Sequence, residues 1–386
     1  MYSSFTREIE HLGGVFLSYD SESARLRGVQ ALRGWLDGLS VLAYLNISGH
    51  QVGGQLLLQV SSAPSLEALT PDHDTTGLAA AFGLDSRNRG VDLDAEIVLS
   101  MSRSPTALTY PSVDELQASI RMRRYTAMAA RYAELSFNTE GLERPQDCWA
   151  YHPETSFTLL PDVALIDALV KTTQPALSGR TYTFSCYRAS EYVMLLALAL
   201  ELREHHPQLL AQIEQRWRSH AIMSEEFHRV FTREYGSPEH PLPPTFYVPG
   251  DRVWFKNPDE RSSDVRGYEG SWVYYLGAGQ FNNFWNNLAP FTLATKCLEI
   301  YHWRNALVLD PDGRLTIDEV AVSRHVKATL DCPEERAWIL EKMMRLRDPS
   351  GIYANGGCID RTRECLKWVG KESADLVIPQ THHAVG

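Results

Sequence analysis

One cysteine stands where it could act as a nucleophile. Cys186 follows the extended run T-Y-T-F-S and precedes Y-R-A-S-E-Y-V-M-L-L-A-L-A-L-E-L, which predicts a helix that is apolar almost all round. A thiol at a helix N-terminus lies at the positive end of the helix dipole, which favours the reactive thiolate. Cysteine is also among the residues most often buried without a chemical role. Position alone therefore leaves the catalytic and the structural interpretation open.

The segments on either side predict a helix followed by an antiparallel meander. Ser112 and Glu115 have the spacing of a capping box and predict the start of a helix. Downstream, strands are predicted at 252–255, in G-S-W-V-Y-Y-L-G and in Q-F-N-N-F-W, with a tight turn at Gly277-Ala278-Gly279. Such a sheet could present a polar side chain to a thiol at the tip of the helix.

The flanking regions carry structural signals and no functional motif. A helix is predicted over 21–45, strands in Q-L-L-L-Q-V-S-S and A-E-I-V-L-S-M-S, and a further helix over 333–347. These elements predict an α+β fold with an N-terminal accessory region (1–107), a catalytic core (108–305) and a C-terminal helical extension (306–386).

Composition and charge exclude several classes of protein. Of the 386 residues, 44% are apolar and 22% charged, which is typical of a soluble globular protein. The net charge of −11 argues against a nucleic-acid partner, and the lack of an apolar run of ~20 residues argues against a membrane partner. The N-terminal sequence lacks the features of a signal peptide, so we expect a cytoplasmic protein with free thiols. The cysteines lack histidines at zinc-site spacing, so we expect no metal and no other cofactor.

Five motifs occur in one order along the chain: Y-P-S-V-D-E-L-Q-A-S-I-R-M-R, C-W-A-Y-H-P-E, T-F-S-C-Y-R-A-S-E-Y-V-M-L-L-A-L, P-G-D-R-V-W-F-K-N-P-D and W-V-Y-Y-L-G. Together they resemble the spore-coat type of bacterial transglutaminase, a protein-glutamine gamma-glutamyltransferase, over about residues 110–304. The resemblance implies a papain-like core of the NlpC/P60 type, with a central helix that carries Cys186 against an antiparallel sheet. It also implies that Cys186 attacks a protein glutamine and that an amine donor, such as lysine, resolves the thioester into an isopeptide bond.

The sequence departs from the family pattern at the residues that assist the cysteine. Ser271 stands where the family has a glutamate, and Phe284 stands at or near the position of its histidine. Ser185 replaces an acidic residue before the nucleophile. Because residues i and i+2 of a strand share a face, Glu269 is a candidate replacement for the general base. Both steps of the acyl transfer need a proton acceptor, so this position decides the mechanism.

Other polar residues have weaker claims. Asn282 or Asn283 could be the third polar member of a catalytic set, and Asp251 is a turn residue that could shape the site. Three hypotheses remain open. The first is a transglutaminase assisted by Glu269. The second is an amide synthase or acyltransferase that acts on an acyl-thioester, whose thiol leaving group needs no protonation. The third is a retired transglutaminase fold that serves as a binding module.

Overall fold

The computed structural model describes residues 8–9, 11–136, 141–348, 356–371 and 373–379. Helices and strands are mixed along the chain, which confirms the α+β class. The helices are α1 Glu22–Gly38, α2 Pro64–Leu69, α3 Leu78–Phe82, α4 Gly90–Ser102, α5 Val113–Tyr132, α6 Leu165–Thr173, α7 Pro175–Ser178, α8 Cys186–His205, α9 Pro207–Ser219, α10 Ser224–Phe231, α11 Glu260–Ser263, α12 Leu293–Trp303, α13 Glu319–Leu330 and α14 Pro333–Met343. The strands are β1 Gly14–Tyr19, β2 Leu45–Val52, β3 Gln55–Ser62, β4 Ala107–Tyr110, β5 Trp149–His152, β6 Ser156–Leu159, β7 Thr232–Tyr235, β8 Arg252–Lys256, β9 Gly270–Gly277, β10 Gln280–Phe281, β11 Phe291–Thr292, β12 Leu307–Leu309, β13 Leu315–Ile317 and β14 Arg363–Leu366.

The N-terminal strands form a sheet in the order β2-β3-β1-β4, in which β1 and β4 run parallel. The predicted strand Q-L-L-L-Q-V-S-S is β3. The prediction of a strand at A-E-I-V-L-S-M-S is wrong, because these residues form the second half of α4. Nearly every residue of that half is buried, and a short apolar run buried on all sides cannot be distinguished from a buried strand by its periodicity.

The larger sheet of the described residues has the order β11-β10-β9-β8-β14-β7 and carries the predicted meander. Strands β8 and β9 are antiparallel, with Trp254 opposite Trp272. The predicted turn after β9 is confirmed, since Gly277, Ala278 and Gly279 all have positive φ. Only the first two residues of Q-F-N-N-F-W form a strand. The chain turns after them, because the Asn283 side-chain oxygen accepts a hydrogen bond from the Trp285 N–H.

Helix α8 is the predicted central helix and packs on one face of this sheet. Its residues from 189 to 202 are almost all buried, within one apolar cluster that also includes Tyr274 and Leu276 of β9. The Tyr274 hydroxyl donates a hydrogen bond to the Ser190 carbonyl at 2.5 Å. The neighbouring β9 residues Val273 and Tyr275 belong to a different cluster, with α12, on the opposite face. The two faces of β9 are thus unambiguous.

The C-terminal part contributes to the same sheet. Strand β14 lies between β8 and β7, pairing Glu364 with Arg252 and with Glu234. The predicted helix at 333–347 is α14, which ends at Met343. The predicted helical extension at 306–386 contains α13 and α14 together with β12, β13 and the four-residue strand β14, whose partners lie more than a hundred residues earlier in the chain. The predicted boundary at 305/306 separates segments that share a sheet. No helix among the described residues is long and apolar enough to cross a membrane.

Candidate active site

Cys186 is the first residue of α8, where the sequence predicted it. The N-cap is Ser185, whose hydroxyl oxygen accepts a hydrogen bond from the Arg188 N–H at 3.2 Å. Ser185 therefore satisfies one of the free N–H groups at the helix terminus, and its side chain is exposed. Cys186 itself is partly exposed, although protein atoms surround its sulfur densely. The thiol thus lies at the surface of the core rather than inside it.

The sulfur lies at a free edge of β9. The Tyr274 N–H donates to the Asn282 side-chain oxygen at 2.6 Å, and the Asn282 N–H donates to the Tyr274 carbonyl at 3.0 Å. The backbone groups of Trp272, two residues earlier, face the same edge, because hydrogen-bonding directions alternate along a strand. Since β10 ends at Phe281, the Trp272 N–H is left facing the Cys186 sulfur, where it acts to lower the pKa of the thiol.

Two opposing effects act on the thiol. Burial raises the pKa of Cys186 above its ordinary value. Hydrogen bonds from the Trp272 and Tyr187 N–H groups, together with the positive charges of Lys296 and Arg252, act to lower the pKa of this thiol. The net direction is upward, so the resting thiol is protonated at neutral pH. None of these four strongest counteracting groups is a carboxylate or an imidazole.

Both cations belong to buried clusters. Lys296 on α12 is 2% exposed, pairs with Glu299 at 2.6 Å and lies over the Phe291 ring. Arg252 on β8 has no exposed surface and contacts Glu364 at 2.8 Å. Burial alone raises the pKa of Glu364, but its hydrogen bond with His228 and the charge of Arg252 hold that pKa below the usual range. Glu364 is therefore ionised and compensates the charge of Arg252.

Two tryptophans border the site. Trp254 and Trp272 are partly exposed, lie opposite each other on β8 and β9, and have ring centroids 5.1 Å apart. A Cβ at Gly270 would lie 2.3 Å from the Trp254 ring and 2.4 Å from the Phe255 carbonyl oxygen. Glycine at 270 thus allows the Trp254 ring to lie across the start of β9. The result is an apolar surface next to the thiol that could receive the stem of an acyl donor.

Glu269 is not positioned as the sequence hypothesis required. It precedes β9, its side chain is exposed, and its carboxylate accepts a hydrogen bond from the Gly267 N–H at 3.1 Å. Ser271 is buried and alternates with Trp272, which places it on the α12 face of the sheet together with Val273. The shared face of positions 269 and 271 is therefore the face away from α8. The role of Glu269 as a base gains no support from this arrangement.

The other candidates have structural partners. Asp251 has no exposed surface; its carboxylate pairs with Arg123 at 2.7 Å and accepts hydrogen bonds from Tyr235 and the Val248 N–H. Asn283 donates to the Ala289 carbonyl, within its own loop. Asn282 differs from these two residues, because its side-chain oxygen accepts a hydrogen bond from the Tyr274 N–H at the edge of β9 that also carries the Trp272 N–H. Asn282 thus binds the same edge of β9 two residues along from Trp272, whereas Asp251 and Asn283 make contacts that support the surrounding structure.

The family model for protein-glutamine gamma-glutamyltransferase matches residues 82–354, well over half of the chain. The chain belongs to this family. The match extends beyond the motifs at 110–304 and includes all of α4 as well as α13 and α14. No curated protein sequence matches the chain.

Sequence reasoning missed the two cations that act on the thiol of this transglutaminase-family chain and the partners that hold Arg252. Arg252, His228, Glu364 and Lys296 lie on four different elements, and nothing in their spacing connects them. A partial signal existed for Arg252, which shares a face of β8 with Trp254 by the alternation of a strand. Within the described residues, no group of three or more His, Cys, Asp or Glu side chains is arranged to hold a metal ion.

Proposed function

We propose that this chain is an acyltransferase of the transglutaminase type with Cys186 as its nucleophile. The sulfur attacks the side-chain carbonyl carbon of a protein glutamine, the carbon–nitrogen bond breaks, and ammonia leaves with the thiol proton. A primary amine then attacks the thioester, forms the isopeptide bond and returns a proton to the departing sulfur. The reaction needs no redox change.

The observation that carries this proposal is the placement of the sulfur. Cys186 combines a helix N-terminus, two backbone N–H donors and two buried cations at a partly exposed position. A cysteine that only filled space would need none of these donors. A papain-like core is the fold we propose on the same basis, with α8 as its central helix and β8–β9 as the sheet that faces the thiol.

The raised pKa has a consequence for the first step. Because the resting thiol carries its proton, the proton must move during the attack rather than before it. The departing ammonia is a suitable acceptor, since it needs one more proton than the amide nitrogen carries. Substrate binding over Trp254 and Trp272 would also exclude water and strengthen the N–H and cation contacts with the developing thiolate.

A second donor class is favoured by one observation. The groups that act most strongly against the raised pKa of the sulfur are N–H donors and cations, with no carboxylate or imidazole among them. Acyl transfer from a thioester suits such a site, because a thiolate leaving group needs no protonation. The proposed enzyme would then form the same amide products from an activated acyl donor, through the same Cys186 thioester.

The test compares Cys186→Ala with the unaltered protein in the incorporation of a labelled primary amine into a glutamine-rich protein. Cys332→Ala is the matched control, because Cys332 is an exposed cysteine at the N-cap of α14. We expect incorporation by the unaltered protein and by Cys332→Ala, and none by Cys186→Ala. Equal incorporation by all three proteins would exclude Cys186 as the nucleophile. Repeating the assay with an acyl-thioester in place of the glutamine protein identifies the donor class.

A further inference from the structure

Two residues next to Cys186 contact it through their backbones and contact one buried arginine through their rings. The backbone N–H groups of Tyr187 and Trp272 face the sulfur and act to lower the pKa of this thiol, and the centroids of the two rings lie 5.8 Å apart. The guanidinium carbon of Arg252 lies 5.0 Å from the centroid of the Tyr187 ring and 3.9 Å from that of Trp272. Tyr187 belongs to α8 and Trp272 to β9, so the guanidinium joins the start of the helix to the strand edge.

The Arg252 guanidinium contacts Glu364 and His228, which also contact each other. Its Nη1 donates to the Glu364 carboxylate at 2.8 Å and lies 3.2 Å from His228 Nε2. His228 Nδ1 contacts the other oxygen of Glu364 at 3.1 Å, and His228 Nε2 also pairs with the Tyr187 hydroxyl at 2.9 Å. Glu364 and His228 thus fix Arg252 and, through the Tyr187 hydroxyl, the first turn of α8.

The other two nitrogens of the Arg252 guanidinium, Nε and Nη2, also indicate a structural role for this side chain. Within the described residues, Nε and Nη2 of Arg252 are buried without a hydrogen-bond partner. The guanidinium instead contacts the rings of Tyr187 and Trp272, which lie beside each other and attract a cation without hydrogen bonds. Because Arg252 has no exposed surface, it does not reach a substrate. It acts on the site through its neighbours.

We infer that Arg252, anchored by Glu364 and His228, is a positioning residue that fixes the distance between the start of α8 and the edge of β9, so that the Trp272 N–H meets the Cys186 sulfur. This inference rests on the proposed role of Cys186 as a nucleophile. A planar guanidinium suits the position, because a lysine ammonium cannot stack on the Trp272 ring, contact the Tyr187 ring and donate to Glu364 in the same geometry.

The test measures the Trp272 N–H directly by amide hydrogen exchange. In Arg252→Lys, which keeps the charge, we expect the Trp272 amide to exchange at least about tenfold faster, as it should in Cys186→Ala. The Tyr274 amide, bonded to Asn282, should keep its rate and is the internal control. Unaltered Trp272 exchange in Arg252→Lys would overturn the positioning role.

A second readout separates a local effect of Arg252 on the thiol, through its charge or its position, from general destabilisation. Arg252→Met should shift the pH profile of Cys186 alkylation by iodoacetamide upward by at least about 0.5 pH unit, which is about a threefold slower reaction at neutral pH. Arg363→Met is the matched control: Arg363 is equally buried, lies on β14 beside Glu364, and covers the Tyr247 ring on the opposite face. An unchanged profile in Arg252→Met, or an equal shift in Arg363→Met, would overturn the inference.

A further variant keeps the test decisive if the Arg252 variants do not fold. Glu364→Gln removes one anchor and leaves the arginine in place. We expect faster exchange of the Trp272 amide in Glu364→Gln, and exchange at the rate of the unaltered protein would contradict the inference. Exchange and alkylation are read without any acyl donor, so both remain informative if amine incorporation fails and the proposed function is wrong.

Discussion

The substitution Asp251→Asn separates a structural from a catalytic role for the aspartate that the sequence singled out. The Asp251 carboxylate has no exposed surface, and Arg123, its partner at 2.7 Å, is 3% exposed. One carboxylate oxygen faces Arg123, and the other accepts from Tyr235 at 2.5 Å and from the Val248 N–H at 2.7 Å. In either orientation, the asparagine NH₂ would face a donor and leave the Arg123 charge uncompensated.

Removal of one partner from a buried ion pair costs about 3–5 kcal/mol. We therefore expect Asp251→Asn to lower the free energy of unfolding by about that amount, measured by urea denaturation with tryptophan fluorescence. Asp147→Asn is the control, because its pair with Lys171 lies at the surface and its loss should leave the denaturation midpoint essentially unchanged. A loss below about 1 kcal/mol, or folded Asp251→Asn protein whose Cys186 no longer reacts with iodoacetamide, would refute the structural role.

Three further substitutions test other parts of the account. Glu269→Gln should keep amine incorporation within about twofold, measured as initial rate, whereas a loss of about a hundredfold would restore the glutamate as general base. Gly270→Ala should destabilise the protein by about 1–3 kcal/mol in urea, because its Cβ would overlap the Trp254 ring, whereas Gly34→Ala, in open space on α1, should not destabilise it. Burial raises the pKa of Asp94 to about 6, against the opposing charge of Arg124. The Asp94 carboxyl of the folded state therefore keeps its proton at pH values at which the unfolded chain has lost it. The free energy of unfolding consequently falls by up to about 3 kcal/mol as pH rises from about 4 to 6. Asp94→Asn should lack this slope in urea denaturation at pH 4, 5, 6 and 7, and equal slopes in the two proteins would contradict the assignment.

The parts of the fold that the sequence predicted are those with strong local signals. The capping residue Ser112 does begin α5, with Glu115 hydrogen-bonded to its hydroxyl. Helix α8 begins at Cys186, and the turn after β9 uses its glycines as expected. These features depend on a few neighbouring residues, so the chain needs no tertiary information to specify them.

The parts that were missed depend on contacts between distant segments. Strand β14 has only four residues and exists because β7 and β8 pair with it on both sides. The face of β9 that α8 covers could not be read from alternation, which defines two faces without saying which one a helix will occupy. The sequence favoured Glu269 because it shares a strand face with Ser271, which stands at the position of the family glutamate, whereas the structure turns the other face, with Trp272 and Tyr274, toward α8.

The intermediate itself tests the central claim most directly. The protein is incubated with a glutamine peptide in the absence of amine, quenched in acid, digested and examined by mass spectrometry. We predict an acyl adduct on the peptide that contains Cys186, removable by hydroxylamine and absent from Cys332. An acyl adduct found only on another residue, together with full amine incorporation, would contradict the assignment of Cys186 as the nucleophile.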